Sequence, residues 1–245
     1  MKIDDRDLNS NETSIIKELN QLEISVLKDE KLHLFLAKKD SVDYIYNTSA
    51  LEGNAMTYPE VATLLDGVTV GGHKLSDEHM ILNQKNSLKL FFDLIDSKSF
   101  DLSKETLHKL HSQVAKEEAL SWGEFRDNNV RIGGTEYIPL KHSMLNDVYK
   151  NNSNFLMKIT HPIIQAFVCF LLNAKSQYFY DGNKRTARLM MNGILLSNGY
   201  PLLNIKAKDK LEFNKIMIEY YDTNNLIKAV KFLLKYYLNQ IDELK

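Results

Sequence analysis

The sequence predicts a mainly α-helical protein, on three observations. Apolar residues recur at intervals of three and four along nearly the whole chain. Only 10 Gly and 4 Pro punctuate 245 residues, too few for the turns of a sheet protein. The stretch IIQAFVCFLLNA, residues 163–174, is apolar around almost its full circumference, which a helix tolerates only at the centre of a bundle.

Taken in order, residues 1 to about 12 read as frayed, and residues 13–38 and 41–51 as helices with Ile, Leu and Val at helical spacing. Residues 76–97 read as a long helix with Ser76 as N-cap, acids in the first turn and an apolar stripe of Ile81, Leu88, Phe91 and Ile95. The segment VRIGGTEYIPL, 130–140, interrupts the pattern: two short β-branched runs around Gly133 and Gly134 signal a hairpin. A lone hairpin is marginal in water, so it is expected to lie on the helical body as a flap. Pro162 suits the first turn of the central helix. A further helix from Arg185 to Asn198 is closed by Gly199 and Pro201, and residues 206–221 and 226–242 complete the chain on either side of the break DTNN.

Charge narrows the function. Lys plus Arg total 31 against 32 Asp plus Glu, a net charge of −1, which excludes general attraction to nucleic acid or anionic lipid. Any nucleotide site must be local. The single cysteine, Cys169, sits in an apolar run and reads as core in a reducing compartment. The acidic, polar start is unlike a signal peptide, and no run of about 18 apolar residues offers a membrane helix, so a soluble cytoplasmic protein is expected. The seven histidines are scattered; only His108 and His111 share a helical i, i+3 spacing, without a third metal ligand nearby. His111 is expected to be a satisfied core histidine. The face of Lys228, Lys231 and Lys235 is read as an amphipathic solvated one.

The densest chemistry lies in QYFYDGNKRTAR, residues 177–188. A loop ending on a helix N-terminus presents unpaired N–H groups and the positive end of the dipole to an anion. Gly182 admits a close backbone approach, Asn183 can hold the loop or donate to phosphate, and Arg185 and Arg188, three apart, share a helix face and can fork onto phosphate oxygens. Asp181 beside phosphates is the usual kind of Mg²⁺ ligand. Charge and turn chemistry alone serve equally well a cap, an Asp-Gly turn and a solvated cationic face.

The run Phe179-x-Asp181-Gly182-Asn183-Lys184-Arg185-x-x-Arg188 resembles the signature of the Fic family, His-Pro-Phe-x-Asp/Glu-Gly-Asn-Gly/Lys-Arg followed by a second arginine. TSALEGN, 48–54, resembles the inhibitory motif of Fic proteins that carry an N-terminal autoinhibitory helix. WGEFRDNNVRIGG resembles the segment leading into the family's flap, and HPIIQAF its central helix. The resemblance spans residues 41–205, with the motifs in the family's order. It implies a Fic-type helical bundle with a small β-hairpin flap, and adenylyl transfer from ATP, with Mg²⁺, to a hydroxyl of a target protein.

The implied organisation is an N-terminal helical extension over 1–40, a Fic domain over 41–205 with its inhibitory helix at about 41–52 and flap at about 130–139, and C-terminal helices over 206–245 packed on the same domain. By motif position, Asp181 would hold Mg²⁺, while Gly182, Asn183, Lys184, Arg185 and Arg188 would bind the nucleotide. Thr48, Glu52 and Gly53 belong to the inhibitory motif, with Glu52 reaching Arg188. Val130, Arg131, Ile132 and Gly133 of the flap would clamp the target by strand-like pairing. A homodimer is left open, since periodicity does not separate an interface from a core.

Two positions depart from the family. Gln177 stands where the family has its general-base histidine, and Tyr178 where it has proline; an amide accepts no proton at useful pH, and the loss costs about 10²–10⁴ in rate. His161 lies 16 residues earlier, about 24 Å along a helix, too far to substitute, and reads as structural. Tyr178 and Tyr180 are poor bases and read as packing, as do Trp122 and Phe125. Lys184 stands where many adenylyltransferases have glycine, and the related phosphorylating Doc toxins also have lysine. Three classes follow: an autoinhibited, slow adenylyltransferase; a nucleotide-binding pseudoenzyme or scaffold; a Doc-like kinase.

Overall fold

The computed structural model describes residues 5–243, with side chains described from Glu12 onward. The regular secondary structure is all helical, and no strand occurs among the described residues. The helices are α1 (Asp5–Asn20), α2 (Glu30–Lys39), α3 (Ser41–Leu51), α4 (Tyr58–Leu65), α5 (Leu75–Asp96), α6 (Lys104–Val114), α7 (Leu145–Leu156), α8 (Pro162–Ser176), α9 (Asn183–Ser197), α10 (Lys210–Thr223) and α11 (Leu226–Asp242).

The centre is α8 against α9, the most extensive helix pairing among the described residues. On α8, Ile163, Ile164, Ala166, Phe167, Val168, Phe170 and Leu171 are all fully buried, as the all-round apolar pattern requires. Helix α9 carries a glycine in its interior, Gly193, because a Cβ there would stand 2.1 Å from the Phe100 ring. Helices α5, α6 and α11 pack around this pair, and the stripe of Ile81, Leu88, Phe91 and Ile95 on α5 is buried as its spacing predicts. His161 caps α8 by accepting from the Ile163 N–H at 3.2 Å, a structural role. Cys169 is free and buried, which pushes its thiol up to about 12.

Three expectations change. The helix expected over 13–38 is broken: residues 22–29 have no regular secondary structure, with Leu22, Ile24 and Val26 packed on the core at a period of two, and α2 restarts on Asp29, whose carboxylate accepts from the Leu32 N–H at 2.9 Å. The fraying expected over residues 1 to about 12 falls outside the described residues for 1–4, while α1 already begins at Asp5. The flap is not a hairpin: residues 130–140 form an irregular loop turning at Gly133–Gly134. The arms are held by a side chain instead of a ladder, since the buried Arg126 guanidinium donates to Asn128 O at 2.6 Å on one arm and Leu140 O at 2.5 Å on the other. Helix boundaries also move slightly, α5 being capped at Lys74 rather than Ser76, and α9 starting at Asn183.

Candidate active site

The loop between α8 and α9 is fixed at both ends by backbone geometry. Helix α8 ends on Gln177 with φ +47°, and α9 begins on Gly182 with φ +72°. Space as well as φ demands glycine at 182, because a Cβ there would press on Ala115 and Val114 at 3.1 Å. The Asn183 side chain staples the loop: its Oδ1 accepts from Phe179 N–H at 2.9 Å and its Nδ2 donates to Phe179 O at 2.8 Å and Gln177 Oε1 at 3.3 Å. The Gln177 amide is folded back, its Nε2 donating to Ala174 O at 2.7 Å. From outside, Arg126 Nε donates to Gln177 O at 2.7 Å and the Arg126 N–H to Tyr178 O at 2.9 Å.

His111 holds the other side. Its Nε2 donates to Asp181 O at 2.9 Å while its Nδ1 accepts from Gly123 N–H at 3.0 Å, so the neutral ring has a defined tautomer. It stacks on Phe179 at 3.6 Å, and burial lowers its pKa to about 4. This is the satisfied core histidine that was expected. Tyr178 is buried, accepts from Asn152 at 2.9 Å and is pushed by burial up to about 12, which removes it as a base; Tyr180 donates to Asp127. Phe125 stacks on Tyr178, a packing role, whereas Trp122 is exposed.

Glu52 ends α3 just before Gly53, whose φ of +96° stops the helix. Helix α3, with Thr48 buried in its last turns, is tied down from the C-terminal side: Lys210 Nζ donates to Ala50 O at 2.8 Å, and Ala207 N–H to Asn47 Oδ1 at 2.8 Å. The Glu52 carboxylate then divides itself, Oε1 to Arg188 Nη1 at 2.8 Å and Oε2 to Lys184 Nζ at 3.0 Å. Burial alone would raise its pKa; the charges of Arg188 and Lys184, with the Lys184 hydrogen bond, outweigh that and hold it at about 2. The Arg188 contact was expected from the inhibitory motif. The Lys184 contact was not: no local pattern links residues 52 and 184.

The two arginines of the loop part company. Arg185 Nη1 turns inward to Glu118 at 2.9 Å and to Val114 O at 3.1 Å. Arg188 meets Glu52, lies 5.6 Å over the Phe213 ring, and leaves Nε and Nη2 buried without a hydrogen-bond partner. Above them is a cleft of about 240 Å³ lined by Glu52, Gln177, Asp181, Gly182, Asn183 and Lys184, by Ile132 and Gly133 of the flap loop, and by Asn214, Met217, Ile218 and Tyr221 of α10. The structure thus gathers Gln177, Asp181, Gly182, Asn183, Lys184, Glu52, Ile132 and Gly133 at one cleft, with Arg188 beneath Glu52; Arg185, Thr48, Val130 and Arg131 do not line it. Sequence reasoning missed the α10 wall, whose residues carry no local motif, and the role of Arg126, although that residue lies in the quoted flap segment.

Asp181 tests the fit of Mg²⁺. Its side chain is 63% exposed at the cleft, Oδ1 accepts from Gly182 N–H at 2.5 Å, and Arg185 Nη2 stands 3.7 Å away. A single open carboxylate beside a helix N-terminus suits an ion that takes its remaining ligands from phosphate and water. No cluster of three or more acidic, His or Cys side chains that could hold a metal without such a ligand occurs among the described residues.

Residues 101–195 match the model of the Fic/DOC family. Over those residues the chain is similar to a Fic/DOC family domain. Over 197 residues it is 24% identical to the "Protein adenylyltransferase Fic" of Aedes aegypti, an alignment that takes in 78% of this chain. The chain spans 39% of that relative's length. Among solved structures it superposes on Fic-1, residues 134–508, from C. elegans with a TM-score of 0.76 at 19% identity, covering 98% of this chain and 71% of that one. A Fic domain-containing signalling protein from Bacteroides thetaiotaomicron gives 0.68 at 20% identity, covering 94% of both chains. These likenesses establish a Fic-type helical fold that reaches well beyond the matched residues.

Proposed function

We propose that the protein is a Fic adenylyltransferase, moving AMP from Mg-ATP to a hydroxyl of a target protein, held off by Glu52 and slowed by Gln177. The observation that carries the reading is the Glu52 clamp. A carboxylate buried on two cations at a helix N-terminus occupies the place where a phosphate chain would gain most. The name of the relatives supports AMP as the transferred group.

In this reading the first turn of α9 receives the phosphates, Lys184 and Arg188 neutralise them once Glu52 withdraws, and the Asp181 carboxylate holds Mg²⁺. The metal, when bound, would neutralise charge developing on the phosphates. Asn183 keeps the loop in register, because its amide is spent on Phe179 and Gln177; it shapes the anion site without donating to it. Arg185 supports the floor through Glu118. The flap loop, with Ile132 and Gly133 at the cleft, would hold the target segment. Glu52 lines the cleft of about 240 Å³ and holds both Arg188 and Lys184, so it must leave them before those cations can meet a phosphate.

Gln177 favours a second reading, a nucleotide-binding scaffold. Its amide is tied to Ala174 and Asn183, and the other groups nearby are no better as bases, with Tyr178 buried and His111 fully bonded. Lys184, the one feature behind a kinase, finds its partner in Glu52.

The test is transfer from α- and γ-labelled ATP to a protein mixture by wild type, Glu52→Gly, and Glu52→Gly with Gln177→His. Alpha label on protein only in the Glu52 variants, rising about 10²-fold or more with histidine restored, is expected. Transfer of γ label would indicate phosphorylation. Mg-ATP binding without transfer, even with histidine, would leave the scaffold.

A further inference from the structure

The anion site that Glu52 covers holds donors that its carboxylate leaves unserved. Both Glu52 oxygens are engaged, yet Arg188 Nε and Nη2 lie buried without partners, and so does the hydroxyl of Tyr221. Tyr221 is on α10, outside the matched family segment, and lines the cleft. Helix α10 turns one face to Arg188: Phe213 lies under the guanidinium, Met217 is on the cleft wall, and Tyr221 follows at the next turn.

We infer that the Tyr221 hydroxyl is a ligand-binding group, donating to a phosphate oxygen of the bound polyphosphate beside Arg188 when Glu52 leaves. The identity of the ligand as a nucleotide rests on the function proposed above; the donor set itself rests on the geometry. Glu52 and Arg188 both act on this phenol electrostatically, and burial, reinforced by Glu52, raises its pKa, so it stays protonated and can only donate to a fully charged phosphate oxygen. Its ring is already placed, with Tyr137 of the flap loop stacked on it at 6.0 Å. A phenylalanine would pack the same ring without burying an unpartnered oxygen, so the hydroxyl contributes nothing to the closed fold that would explain it. The Glu52 oxygens, aimed at Arg188 Nη1 and Lys184 Nζ, do not reach the remaining donors; a terminal phosphate presents three oxygens in three directions, enough for the cations and the phenol together.

The experiment is calorimetric titration of Glu52→Gly and of Glu52→Gly/Tyr221→Phe with three probes: Mg-ATP, inorganic triphosphate and adenosine. The expected result is that loss of the hydroxyl weakens both phosphorylated probes about 10-fold or more, the usual effect of deleting a hydrogen bond to a charged group, and leaves adenosine unchanged. The melting temperature of Tyr221→Phe alone should equal or exceed that of wild type. Unchanged binding of Mg-ATP would overturn the inference while the nucleotide reading stands. Equal weakening of adenosine would also overturn it, pointing to a ring contact. Tyr221-dependent binding of inorganic triphosphate without any binding of Mg-ATP would keep the inference and sink the nucleotide reading. No binding of either phosphorylated probe removes both. A lowered melting temperature in the single variant would reveal a structural partner for the hydroxyl and count against it.

Discussion

Arg185 and Arg188 sit three residues apart on the same helix, equally buried, and have opposite characters. The corner of the site around Arg185 is closed from within the loop's own surroundings: Glu118 follows α6, Val114 ends it, and both are packed beneath the loop. The corner around Arg188 is closed by a single residue from α3, far away in sequence, and it leaves donors unused. One cation is fully engaged within the fold; the other, on the function proposed above, is covered by a part that would withdraw. Partly satisfied buried charge is costly, and a ligand that satisfies it gains by that amount.

The comparison predicts unequal consequences. Glu118→Ala leaves the 2% exposed Arg185 side chain without its close counter-charge, the exposed Asp181 carboxylate standing 3.7 Å off, and breaking such a buried pair from one side costs about 3–5 kcal/mol. Urea unfolding should report that loss, and inorganic triphosphate should not restore it. Glu52→Gly should cost up to about 3 kcal/mol, the linkage value of a carboxyl held near 2 instead of 4.5. Here triphosphate should return stability, by about 2.7 kcal/mol at a hundredfold excess over its dissociation constant. If the anion rescues both variants or neither, the distinction between the corners is wrong.

What the sequence disclosed divides along the same line. The helical class, the burial of α8, the stripe on α5 and the Glu52–Arg188 contact were legible, because each follows from a local period or a motif. The break at 22–29 was not, since Leu22, Ile24 and Val26 continue an apolar count that suits either period over so few residues. The hairpin over 130–140 failed because β-branched runs report a preference, and the preference here is overruled by Arg126 taking carbonyls from both arms. The Lys184 half of the clamp, Glu118 and Tyr221 join residues more than 60 positions apart, or lie on a helix with no motif, and only the packing of α3, α6 and α10 around α9 brings them in.

Acid should separate the two corners by pH. His111 is neutral in the fold with its pKa at about 4 against 6.5 unfolded. The unfolded chain therefore takes up a proton that the folded chain refuses, and stability falls as pH drops below 6.5, reaching about 2 kcal/mol of loss by pH 5 at 1.4 kcal/mol per unit. Glu52 behaves differently: its contribution is present above pH 4.5 and lost as pH falls from there towards about 2. His108, lowered to about 4 by burial and by Lys104, titrates in the His111 window, so NMR titration should follow each imidazole separately. A His111 ring that protonates near 6.5 in the folded protein would break this account, because the Gly123 N–H could not then be its donor.

The smallest effect on stability belongs to the residue with the largest expected effect on metal dependence. Asp181 is mostly exposed, and its contact with Arg185 is a long 3.7 Å to a guanidinium already served by Glu118. Asp181→Asn keeps an oxygen for the Gly182 N–H and should shift unfolding by no more than about 0.5 kcal/mol. A neutral amide is nevertheless a far poorer Mg²⁺ ligand than a carboxylate. In the Glu52→Gly background, ATP binding should therefore lose its dependence on Mg²⁺ when Asp181 becomes Asn, while inorganic triphosphate without metal binds as before. Should Mg²⁺ still tighten ATP binding by the same factor, the ion is held by the phosphates alone, and Asp181 is only the side chain that turns the loop into α9.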